Sequence, residues 1–238
     1  MNVALDRVLA RTDVWRGRQA ATQAPSVLPS GCAVLDRALP GGGWPLGAVT
    51  ELCLAQDGLG ELSLLMPALA RVTHGTPIDP RAAPHASADR HAPRFVVFVA
   101  SPYPLYAPAL ANAGLDLARV LCVDAKSVEH AAWAAEQSLR SGACGAVVYW
   151  APRSDDRVLR RLQLAAESGT AWCAVLRPLA AASSPSPAAL RVRIEAGPRA
   201  QVFKCRGVTS SAFLPEIPLT AHVVACAPVP PAAAGRAW

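Results

Sequence analysis

The sequence predicts an α/β domain with a mainly parallel sheet flanked by helices. Two observations predict it. Five short runs are apolar at nearly every position: VTELCL (49–54), FVVFVA (95–100), RVLCVD (119–124), GAVVYW (145–150) and AWCAVLRP (171–178). Strands buried on both faces read this way, and helical periodicity fills the stretches between them. With 238 residues, 52% of them hydrophobic and 17% charged, the chain is no disordered segment. One domain of about 200 residues plus tails is expected.

Taken in order, residues 4–19 place Leu5, Val8, Leu9, Thr12 and Trp15 at helical spacing. Arg7, Arg11, Arg16 and Arg18 stand elsewhere, which makes a short amphipathic helix. The stretch ATQAPSVLPSG then reads as a linker. Residues 1–24 are therefore expected to stand apart as helix and linker, 25–207 to form the core, and 208–238 to form a proline-rich tail. The helix stripe is a candidate partner anchor, with Trp15 the kind of residue that dominates small interfaces. Packing on its own core is the competing reading.

Within the core, Leu62, Leu65, Met66, Leu69 and Val72 line one face of a helix over 61–73. Further helices are expected around 104–113, over 127–141, and from a cap at Asp155 and Asp156 to about Ser168. LRVRIEA (190–196) and QVFKCRG (201–207) alternate and lie close together, so they predict an antiparallel hairpin at the sheet edge. Two segments lack periodicity and are expected to be mobile: 74–93, with His74, His85 and His91, and AAASSPSPA (180–188). Irregular histidine spacing without a carboxylate shell gives no metal site.

The net charge is +6, and only two of the 23 basic residues, Lys126 and Lys204, are lysines. This balance permits nucleic acid or an acidic partner without demanding either. The seven cysteines form no CxxC pair and sit mostly in apolar runs. They read as reduced, buried side chains of a cytoplasmic protein. The opening residues hold no continuous apolar stretch and no run approaches about 18 apolar residues, so neither a signal peptide nor a membrane span is expected.

The deciding motif is SGCAVLDRALPGGGWPLGAVTEL (30–52). Its Ser30-Gly31 pair, Leu35-Asp36 pair and glycine-rich turn resemble the approach to the first core strand of the RecA recombinase family, and the likeness spans roughly 30–207. That resemblance implies a phosphate-binding loop after the strand. Such a loop needs G-x-x-x-x-G-K-[ST], so that backbone amides, a lysine and a hydroxyl hold phosphate and Mg²⁺. Here the positions are Ala55, Gln56, Asp57, Gly58, Leu59, Gly60, Glu61 and Leu62. Glu61 replaces the lysine and Leu62 the hydroxyl. Two like charges about 4 Å apart repel by about 4 kcal/mol at an effective dielectric near 20. The strand that in this family ends in a Mg²⁺-binding aspartate ends here in Trp150. Ala100-Ser101-Pro102 stands where a water-activating glutamate would be, and Leu176-Arg177 where a glutamine-type sensor would be. A RecA-like P-loop core with a degenerate nucleotide site, no catalysis and no cofactor is the expectation.

Longer stretches narrow the resemblance. SGCAVLDRALPGGGWPLGAVTEL, DGLGELSLLMPALA, YAPALANAGLDLARVL and AAWAAEQSLRSGACGAVVYWAPR together resemble the ImuA family, RecA-like accessory factors of a bacterial SOS mutagenesis cassette. The likeness to the division inhibitor SulA is weaker. Membership implies an adaptor role in translesion DNA synthesis. The implied partners are an ImuB-like Y-family polymerase homologue and an error-prone replicative-type polymerase subunit, with RecA or a second copy as further candidates. The other classes considered are a SulA-like inhibitor binding FtsZ and a weak ATP-dependent recombination mediator.

Arg153, Arg157, Arg160 and Arg161 form a basic cluster after GAVVYW, and Lys204 and Arg206 frame Cys205. Both are candidate DNA or partner patches. The competing readings are a solvated helix face and a cation-protected edge strand. Weak, salt-sensitive DNA binding is the most this implies.

Overall fold

The computed structural model describes residues 26–75, 92–153, 155–196, 199–207 and 216–218. The expected N-terminal helix with Leu5, Val8, Leu9, Thr12 and Trp15 lies outside these residues, as do His85, His91 and most of the expected tail.

Ten strands are described: β1 (Val27–Leu28), β2 (Trp44–Pro45), β3 (Val49–Leu54), β4 (Phe95–Val99), β5 (Val120–Val123), β6 (Cys144–Trp150), β7 (Trp172–Pro178), β8 (Leu190–Glu195), β9 (Arg199–Cys205) and β10 (Glu216–Pro218). The helices are α1 (Ala33–Ala38), α2 (Glu61–His74), α3 (Ala107–Asn112), α4 (Val128–Arg140) and α5 (Asp156–Gly169). β1 and β2 pair in a small ribbon, and the other eight strands form one sheet in the order β10-β9-β8-β3-β7-β6-β4-β5. The six strands from β8 to β5 are mutually parallel. β9 and β10 join antiparallel.

The apolar runs became strands because every residue of β3 and β6 is buried. Local chemistry starts the helices. Ser127 accepts a hydrogen bond from His130 N at 3.2 Å, and Asp155 accepts one from Val158 N at 2.9 Å, so both supply N-caps. The core has two halves. On one face α1 and α2 cover Leu52, Phe98 and Trp172. On the other α4 and α5 cover Val97, Tyr149 and Val175. Trp44 stacks on Trp172 with centroids 5.1 Å apart, and the Trp172 indole N–H donates to Thr50 at 3.0 Å. The Ser-Gly and Leu-Asp pairs also find a local cause. Asp36 accepts from Ser30 N at 2.9 Å and from its hydroxyl at 2.6 Å, which closes the turn into α1.

Several expectations need correction. β8 and β9 do form an antiparallel hairpin, but β8 lies inside the sheet, parallel to β3. Residues 216–218 return to pair with β9. His74 is the last residue of α2, bonded to the Gly114 carbonyl at 2.9 Å. The Ser/Pro/Ala segment is held in place, because the Arg191 guanidinium donates to the Ala181 and Ser184 carbonyls at 2.7 and 3.0 Å. Lys204 Nζ adds a bond to Ser186 O at 2.6 Å. Cys122 is exposed because β5 is an edge strand, whereas burial pushes the Cys173 thiol up to about 12. No described helix is long and apolar enough to cross a membrane.

Candidate functional site: a cleft beside the loop after β3

β3 ends at Leu54, and Ala55 donates its amide to Ile194 O at 3.0 Å, which aims the loop 55–60 out of the carboxyl end of the sheet. Gly60 caps α2 at φ 98, a left-handed conformation that favours glycine. The Glu61 side chain then turns back towards the loop. Glu61 is 4% exposed, and its Oε1 accepts from Gly58 N at 2.9 Å. Its other oxygen is buried with no hydrogen-bond partner. The loop thus places a carboxyl group of its own at the amino end of α2, on an amide that a bound anion would otherwise use. Leu62 is half-buried against the core. Triphosphate and Mg²⁺ do not fit this set: the amide is taken, the added charge is negative, and no hydroxyl stands at the metal position.

A cleft of about 620 Å³ opens here between the start of α2 and the segment 101–113. Trp150 lines it, packed at 6.3 Å on Phe98. Leu62 and Met66 come from α2, Pro102 and Pro104 from the segment after β4, and Tyr103 and Tyr106 are 67% and 71% exposed. Among the described residues, the charged side chains lining it are Asp57 and Glu61. Such a surface is apolar with acidic residues at the loop, and among the described residues it offers no cation for phosphate neutralisation. Among the described residues there is also no group of three His, Cys, Asp or Glu side chains that would hold a metal.

The sequence reading places Ala55, Gly58, Gly60, Glu61, Leu62 and Trp150 together, and the structure brings them to one end of the sheet. It separates the two basic groups. Arg153, Arg157 and Arg160 are exposed at or near the start of α5, beyond the carboxyl end of β6. Arg161 belongs elsewhere: it and Arg140 clamp the nearly buried Glu136 of α4, with Arg140 at 2.9 Å. Lys204 pairs with Arg191 near the start of β8, and Arg206 donates its amide to Ala189 at 2.7 Å. Both lie at the opposite end of the sheet from Glu61. Burial and the neighbouring Arg191 depress the Lys204 ammonium below its ordinary range. Any single-strand DNA affinity is expected to centre on Arg153, Arg157 and Arg160. Replacing all three by Ala should lower the salt dependence by about two units of slope, at about 0.7 per phosphate contact. Arg161→Ala should leave that slope unchanged, and anisotropy titrations across salt concentrations check both; a triple variant with the wild-type slope rules the patch out.

Sequence reasoning missed a buried ion triad. Glu51, fully buried on β3, binds Arg177 Nη1 at 2.6 Å and Arg191 Nε at 2.5 Å. Arg177, read as a sensor-position residue, is occupied in this triad. The signal available was a lone carboxylate inside VTELCL and arginines inside two other strands. It also missed Tyr103 and Tyr106, which SPYPLY announces only as an aromatic and proline run after a strand.

No family model and no curated protein matches the chain. Among solved structures, the crystal structure of SulA from Pseudomonas aeruginosa is similar at 25% identity and a TM-score of 0.40, covering 54% of this chain and 97% of that one.

Proposed function

We propose that the chain is a non-catalytic adaptor of SOS-induced translesion DNA synthesis, working through protein contacts and not through ATP turnover. One observation carries this reading: the Glu61 carboxylate sits on the Gly58 amide, where a nucleotide phosphate would need a free amide and a lysine. A domain that keeps the strand, loop and helix around such a site, and puts an apolar cleft beside it, has a surface suited to a polypeptide. The ImuA-like motifs supply the context: an ImuB-like polymerase homologue and an error-prone polymerase subunit as partners in damage tolerance. Calorimetry with Mg-ATP should give no binding heat for the isolated chain. Micromolar affinity would overturn the non-catalytic reading. Capture of the tagged chain from damaged cells should bring down both polymerase proteins, and their absence would overturn the adaptor assignment.

A further inference from the structure

The cleft poses a chemical question. Its lining includes two prolines and two tyrosines, the latter 67% and 71% exposed, from the segment after β4, and the carboxylates of Asp57 and Glu61 from the loop before α2 and that helix's first residue. Aromatic and proline side chains arranged this way suit an extended polyproline segment, whose stiffness lowers the entropy lost on docking. An acidic end suits an arginine, which can bond a carboxylate through two N–H groups. Glu61 keeps one carboxylate oxygen without a partner for it.

The chain carries such a segment. After Pro218 come residues 219–238, with Pro228, Pro230 and Pro231 followed by Arg236, the one arginine in the stretch. The topology delivers it to the right end of the sheet. β10 runs antiparallel to β9, and Pro218 sits opposite Arg199, which in turn pairs with Glu195 at the carboxyl end of β8. That is the end where Ala55 and Trp150 lie. From β10 to β4 there are six strand spacings, roughly 29 Å at about 4.8 Å each. Ten residues to Pro228 reach roughly 31 Å at about 3.1 Å per residue, and eighteen to Arg236 roughly 56 Å. The amino-terminal segment is worse placed. It enters at Ser26, whose carbonyl accepts from Leu46 N at the opposite end of the sheet, and among residues 1–25 only Pro25 is a proline.

We propose that residues 226–238 of this chain fold back into the cleft, their prolines on Tyr103 and Tyr106 and Arg236 at the Asp57–Glu61 end. A partner seeking the cleft must then displace the segment, which makes it an internal competitor. The proposal rests on the reading that the cleft takes no nucleotide.

Hydrogen exchange of the full-length chain, read by mass spectrometry, tests it. Two variants alter the segment only: Arg236→Glu, and the triple Pro228→Ser, Pro230→Ser, Pro231→Ser. Each should raise exchange in the amides of residues 57–63 and 101–113 by about tenfold while β3 and β7 stay protected. The Leu9→Ala, Trp15→Ala double variant should leave those amides unchanged, as should dilution of the wild-type protein. Unaltered exchange in both segment variants overturns the proposal. So does an increase produced by the Leu9 and Trp15 variant, which assigns the cleft to the amino-terminal segment, or protection lost on dilution, which assigns it to a second copy. Mg-ATP binding would sink the non-catalytic reading instead, so the two failures are distinguishable.

Discussion

Glu51→Ala is expected to lower the unfolding free energy by about 3–5 kcal/mol, because it leaves two guanidinium groups in the protein interior without their anion. The Arg177 and Arg191 side chains are only 10% and 5% exposed. Arg191 would keep its carbonyl partners and its place 4.8 Å over the Phe203 ring, but none of these carries a full negative charge. For a domain of this size each kcal/mol moves the midpoint by about 2–4 °C, so thermal unfolding should shift by about 10 °C. Urea denaturation gives the free energy directly. A loss below about 1 kcal/mol would mean that water reaches both arginines and that the triad is not a closed unit. Exchanging all three residues for apolar ones of similar volume should recover much of the loss, since their joint desolvation cost disappears with them.

Gly169→Ala should be the second large loss, and its sign is set by a contest of two terms. Alanine is the better helix former by about 1 kcal/mol, so at a free site the change would stabilise α5. Here an added Cβ would lie 2.9 Å from the Leu139 carbonyl carbon and closer still to its oxygen. Backbone atoms cannot rotate aside. The carboxyl ends of α4 and α5 would have to separate, and Arg94 ties those ends together through Gly142, Gly169 and Thr170 carbonyls at 2.9, 2.9 and 3.0 Å. Overpacking of this kind costs about 3 kcal/mol, which outweighs the propensity gain. Chemical denaturation of the single variant checks it. A variant as stable as wild type would mean that the helices separate freely.

What was legible in the sequence was local. The span of β3 and the start of α2 follow from uninterrupted apolar runs and helical spacing, and a glycine-containing loop joining them was readable because its positions are contiguous. What was not legible depends on contacts across the sheet. Residues 180–188 look like a loop without periodicity, yet Arg191 and Lys204 fix them through carbonyls that no side-chain pattern reveals. Glu51 resembles an interruption in an apolar strand until β7 and β8 bring arginines beside it. Arg161 reads as one of four cations on a helix, and only the packing of α4 on α5 gives it to Glu136. The cleft escaped because two tyrosines and two prolines after a strand have no spacing that distinguishes a surface from a turn.

The position of β3 between β7 and β8 bears on how the chain emerges during synthesis. Its hydrogen-bonded neighbours are Cys173–Pro178 on one side and Leu190–Ile194 on the other, and the Glu51 contacts span 126 and 140 residues. At roughly 5–20 residues per second, about 7–28 seconds of translation separate Glu51 from Arg191. For that interval the segment VTELCL has neither of its native strand neighbours, the condition in which apolar segments pair wrongly. The charge that is costly to bury in the finished domain is, in the nascent chain, a solvated carboxylate in the middle of the stickiest segment. A charge in such a segment disfavours pairing with wrong neighbours, and both native neighbours bring an arginine to meet it.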